Sequence, residues 1–127
     1  MTDHSPTATI AVVDDDQRVL ESLEILLESA DHAVRLFASG AALLESGYLS
    51  EIDCLISDIG MPGMNGFELI RLVHAARADL PVILITGQPD VLNGPLPIGA
   101  AHYRLFKKPF KGPELLAAVD DAVGASR

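Results

Sequence analysis

Three carboxylates, one hydroxyl and one ammonium group stand at the ends of short apolar runs in this sequence. Asp14 and Asp15 close the run Thr9-Ile10-Ala11-Val12-Val13, Asp58 follows Asp53 to Ser57, Thr86 ends Pro81 to Thr86, and Lys108 follows Tyr103 to Phe106. Each has an ordinary reading by itself. Asp16, next to the pair, suits a helix cap, Thr86 suits a turn, and a lysine is most often a surface charge. Five such groups at the ends of four runs exceed what turn chemistry requires. Carboxylates gathered closely repel one another and disfavour their own ionisation, and a hard cation relieves this. Oxygen ligands without nearby His or Cys favour Mg²⁺, which binds through one or two carboxylates, keeps several waters and takes phosphate oxygens as further partners. His4, His32, His74 and His102 lack metal-ligand spacing and read as ordinary surface or core histidines.

The elements that must position these groups follow from hydrophobic patterning. Thr9–Val13, Ala33–Phe37, Asp53–Ser57, Pro81–Thr86 and Tyr103–Phe106 read as strands, and the continuous apolar character of the inner ones marks strands buried on both faces. Val19, Leu20, Leu23, Leu26 and Leu27 form a helical stripe from Gln17 to about Ala30. Ser39 starts a short helix stopped near Gly47, and Phe67 to His74 follows a Gly- and Pro-rich loop as a third helix. Pro113 at a first helical position opens a last helix bearing Leu115, Leu116, Val119 and Val123. Strands alternating with helices at this spacing predict a doubly wound α/β domain with helices on both faces. In such sheets ligands bind beyond the carboxyl ends of the strands, where Asp14, Asp15, Asp58, Thr86 and Lys108 fall.

Composition narrows the function. A chain of 127 residues, 49% hydrophobic, suits one core. No apolar stretch approaches the roughly 20 residues of a membrane helix, and Met1 to Thr9 lacks the basic start and apolar run of a signal peptide. The lone Cys54 sits inside a strand pattern as a small hydrophobe, which fits a reducing, cytoplasmic location. A formal net charge of −9 disfavours direct nucleic-acid binding. Lys107, Lys108 and Lys111 are the only lysines, either a solvated helix approach or a cation set beside an anionic site.

The motifs Val12-Val13-Asp14-Asp15-Asp16, Asp58-Ile59-Gly60-Met61-Pro62-Gly63-Met64-Asn65-Gly66, Ile85-Thr86-Gly87 and Lys108-Pro109-Phe110 resemble, in order and separation, those of the response-regulator receiver domains of two-component signalling. The resemblance implies a flavodoxin-like five-stranded parallel sheet of order 2-1-3-4-5. It also implies a receiver domain over residues 9–124, after a disordered lead-in at 1–8 and with no output domain in view. Asp58 becomes the phosphoacceptor and a member of the metal site, with Asp15 a direct Mg²⁺ ligand. Asp14 acts largely through water, and the Gly60 main-chain carbonyl is a further ligand. Thr86 would bind a phosphoryl oxygen, Lys108 would neutralise charge, and the Lys108-Pro109 bond would be cis. The implied partners are a sensor histidine kinase or phosphotransfer protein and an output partner the sequence does not name. In-line phosphoryl transfer needs positioning and positive charge against the phosphoryl oxygens, which Mg²⁺ and Lys108 would supply from two sides.

Three rivals separate on particular residues. A haloacid-dehalogenase-like phosphatase needs a second acid two residues after its nucleophile, where this chain has Gly60, so a general acid is missing. A flavin-binding module needs hydroxyls and glycines after the first strand, where three aspartates stand. A degenerate receiver acting only by protein contact would not need Asp14, Asp15, Asp58, Thr86 and Lys108 together. The chain departs from the family pattern between Thr86 and Lys108. Asn93-Gly94-Pro95-Leu96-Pro97 places prolines where helix interior is usual, each costing about 3 kcal/mol. Leu105 also replaces the usual switch aromatic. The expectation is an irregular or shortened fourth helix over Gln88 to His102, and hence a monomer or a non-standard dimer.

Overall fold

The computed structural model of the chain describes residues 8–87 and 103–125. Five strands, β1 (Thr9–Val13), β2 (Ala33–Phe37), β3 (Cys54–Asp58), β4 (Val82–Thr86) and β5 (Tyr103–Lys107), pair in parallel in the order β2-β1-β3-β4-β5. This is the expected doubly wound sheet. Helices α1 (Gln17–Ser29), α2 (Gly40–Ser46), α3 (Gly66–Ala76) and α4 (Gly112–Ala125), with a short 3₁₀ turn at Tyr48–Ser50, complete the described elements. The expected irregular helix over Gln88 to His102 lies outside the described residues, as does the lead-in before Ala8.

The lack of alternation in the inner strands has its cause in two cores. Ile10, Val12, Cys54, Ile56, Ile83 and Ile85 pack against Leu20, Leu23 and Leu27 of α1 and Leu115, Val119 and Val123 of α4. The intervening residues Ala11, Val13, Leu55, Val82 and Leu84 face Leu43 of α2 and Leu69, Ile70 and Val73 of α3. Successive side chains of a strand point to opposite faces, so a strand covered twice is apolar throughout.

Local chemistry sets the ends of the elements. Asp16 caps α1 by accepting from Arg18 N at 2.9 Å. Ser39 caps α2 from just outside it, and Gly47 ends that helix at φ 80°. Asn65 and Glu68 form a reciprocal capping box at the start of α3. Several expected boundaries move by one residue, and Pro81 falls just before β4, which starts at Val82. The side chain and N–H of Asp53 bond Thr9 N and O, at 2.8 and 2.7 Å. The β3 ladder therefore begins at Cys54, and Asp58 closes the strand instead of following it. Gly112 takes the first position of α4 and Pro113 the second, where a missing N–H is equally free of cost because the first four have no intrahelical partner. Finally, β5 extends to Lys107.

Candidate functional site

The carboxyl ends of β1, β3 and β4 and the chain leaving β5 bring the expected groups together. Asp14 directly follows β1 and is 2% exposed, while Asp58 ends β3 at 8% and Thr86 ends β4 at 1%. Asp15 is exposed. One oxygen from each of Asp14, Asp15 and Asp58 lies within 4.8 Å of the others. Lys108 arrives from the far side of β4. Its main-chain N–H donates to Thr86 O at 2.7 Å, and its Nζ lies 3.4 Å from Asp14 Oδ2 and 3.7 Å from Asp58 Oδ1. The Lys108-Pro109 peptide is cis, as the resemblance implies.

Asp14 is oriented from both sides. Its Oδ1 accepts from Asp16 N at 2.9 Å and its Oδ2 from Lys108 Nζ. Burial raises its pKa above the ordinary carboxylate value; the Asp16 hydrogen bond opposes this, the Asp58 charge adds to it, and Lys108 opposes it again. One ammonium group against three carboxylates leaves an excess of negative charge. With an all-oxygen donor set, that excess suits a hard divalent cation. Asp14, Asp15 and Asp58 are the residues that would hold it. Asp16, Val19, Leu23, Lys108 and Phe110 line an open depression of about 380 Å³ beside α1.

Residues 10–120 match the sequence model of the response regulator receiver domain. The chain belongs to that family. Among relatives of this receiver domain, the transcriptional regulatory protein FixJ of Azorhizobium caulinodans is 39% identical over 119 residues, covering 92% of this chain and 56% of that protein. The response regulator protein TodT of Pseudomonas putida is 34% identical over 116 residues, covering 91% of this chain and 51% of that protein. The chain thus spans about half the length of the curated relatives it matches. A response regulator receiver domain from Clostridium thermocellum superposes with a TM-score of 0.84 at 26% identity, covering 94% of this chain and 96% of its own. A receiver domain is a signalling domain rather than a metabolic catalyst, so the phosphatase reading of the sequence is set aside.

The remaining expected residues vary in how closely they join the cluster. Gly60 sits exposed in the loop after Asp58, its carbonyl an expected ligand. His32 and His74 take no part: His74 Nε2 meets Leu80 O at 2.9 Å, and His32 is buried beside Asp120. Cys54 is buried in β3, and burial pushes its thiol up to about 12. Gly66 was visible as part of a motif, but its closeness to the backbone of Asp58 and Ile59 was not: a Cβ there would lie 2.7 Å from Asp58 O, an approach across the Ile59 to Asn65 loop that no spacing rule reveals.

Proposed function

We propose that Asp58 accepts a phosphoryl group from a phosphohistidine of a sensor kinase or phosphotransfer protein, and that the acyl phosphate so formed alters binding to an output partner. One observation carries this reading. Asp58 Oδ1 lies 3.7 Å from Lys108 Nζ, and the Asp58 carboxylate lies within one cluster with Asp14 and Asp15. A carboxylate oxygen of Asp58 attacks phosphorus in line, the phosphorus–nitrogen bond breaks, and the departing imidazole nitrogen keeps the electron pair. Lys108 offsets charge on the carboxylate and the incoming oxygens, and the Thr86 hydroxyl donates to one of those oxygens. Asp14, Asp15 and Asp58, with the Gly60 carbonyl, would hold Mg²⁺, which when bound would supply positive charge to the phosphoryl oxygens.

The domain proper is taken as residues 9–124, working in the cytoplasm as a monomer or as a non-standard dimer. The composition supports that location, and among the described residues no helix is long and apolar enough to cross a membrane. Incubation with acetyl phosphate and Mg²⁺ tests the central step. The parent protein should gain one base-labile phosphoryl group, Asp58→Asn none, and Lys108→Ala should label roughly a hundredfold more slowly, the scale of losing one preorganised charge. Equal labelling of Asp58→Asn and parent would place the acceptor elsewhere.

A further inference from the structure

Two glycines near the acceptor serve different purposes. Gly63 has φ 77° with open space where a Cβ would stand, so its backbone conformation calls for glycine. The backbone of Gly66 is not left-handed. A Cβ built there would lie 2.7 Å from the Asp58 carbonyl oxygen, 2.9 Å from Ile59 Cα and 3.3 Å from the Asp58 carbonyl carbon. Real Cβ atoms essentially never come within 3.0 Å of a neighbour, and main-chain atoms cannot swing aside as a side-chain tip can. The first residue of α3 therefore lies directly against the backbone of the acceptor residue. Gly66 N also donates to Ile59 O at 3.0 Å, an oxygen that Met61 N shares at the same distance.

Both sides of this contact are held. Asp58 is in register with Ile85 of β4, and Ile59 N donates to Ile85 O at 3.0 Å. The helix is fixed by the buried side chains of Phe67, Leu69, Ile70 and Val73. A side chain at position 66 must displace the Asp58–Ile59 backbone, the start of α3, or the loop between them that carries Gly60. We propose that Gly66 is a positioning residue for phosphoryl transfer. Its lack of a side chain sets where the Asp58 carboxylate stands relative to Lys108, and where the Gly60 carbonyl points. This rests on the reading of Asp58 as the acceptor.

The test compares Gly66→Ala with Val73→Ala, a packing change in the same helix two turns from the acceptor. Both are made in a background carrying Asp31→Gly, which relieves a left-handed backbone (φ 67°) remote from the site and so helps the variants stay folded. Initial rates of labelling by acetyl phosphate with Mg²⁺, melting temperatures and the amide NMR shifts of Ile59 and Gly60 are measured for each, with Asp58→Asn alongside. Gly66→Ala is expected to label about tenfold to a hundredfold more slowly than the background protein, the scale of an ångström-sized misplacement, with shifted Ile59 and Gly60 amides. Val73→Ala should melt lower yet label at the background rate. The proposal is overturned if Gly66→Ala labels at the background rate, or if Val73→Ala slows by the same factor. It is equally overturned if Gly66→Ala stays unfolded in the stabilised background, since Gly66 would then serve folding alone. If Asp58→Asn labels as well as its parent, the acceptor reading itself has failed; if Asp58→Asn is silent and Gly66→Ala is not slowed, only the positioning role has.

Discussion

Lys108 stands slightly closer to Asp14 than to Asp58, 3.4 Å against 3.7 Å, so its single charge is divided between two buried carboxylates. Burial raises the pKa of Asp14 above 3.8. The sign of its effect on stability follows. Between 3.8 and the raised folded value, the folded protein binds more protons than the unfolded chain, so stability falls as pH rises through that window. Metal-free Asp14→Asn is therefore expected to melt above the parent at neutral pH, with the gain vanishing as pH falls to 3.8. Thermal melts across that range check it, and a variant less stable than the parent at neutral pH would contradict it. At Cys54, a thiol pushed up to about 12 should resist alkylation in the folded state and react fully in denaturant. The gathering of Asp14, Asp15, Asp58 and Lys108 was legible because their types and their strand-end spacing are local facts. The division of Lys108 between two carboxylates was not, since it depends on side-chain reach across β4.

At the scale of elements, the loop after Asp58 is tied down at its far end by Asn65 and Glu68. Glu68 N donates to Asn65 Oδ1 at 2.9 Å, and Asn65 N donates to Glu68 Oε1 at 3.0 Å. Asn65→Ala should cost about 1 kcal/mol in denaturant-derived stability, and a loss below a few tenths of that would show the box to be dispensable. Arg77 performs a similar tying role at the end of α3, where its Nη1 donates to Leu49 O at 2.9 Å and Ile52 O at 2.5 Å. Element types were readable from the sequence because two buried faces make inner strands continuously apolar and one buried face gives helices their stripes. The ends were less so. Asp53 lies in a strand-like run but bonds Thr9 before the ladder starts, and Gly112 rather than Pro113 opens α4. The 3₁₀ turn Tyr48–Ser50 was unforeseen, three residues being too few to show a period.

Across the whole molecule, an acidic chain of net charge −9 concentrates three carboxylates at one sheet edge, and a bound cation should stabilise the fold by mass action. Millimolar Mg²⁺ is expected to raise the melting temperature of the parent, and Asp15→Ala should lose most of that gain; calorimetry with and without the metal checks both. The order of the sheet was legible only through the resemblance of four motifs, because hydrophobic runs show that strands are parallel and covered without saying which lie side by side. The most direct measurement locates the modified residue chemically. The protein is phosphorylated with acetyl phosphate and Mg²⁺, reduced with borohydride so that an aspartyl phosphate becomes homoserine, and sequenced by peptide mass spectrometry. Homoserine at position 58 alone is the expected result; homoserine at Asp14, Asp15 or any other aspartate with position 58 unmodified would contradict the assignment.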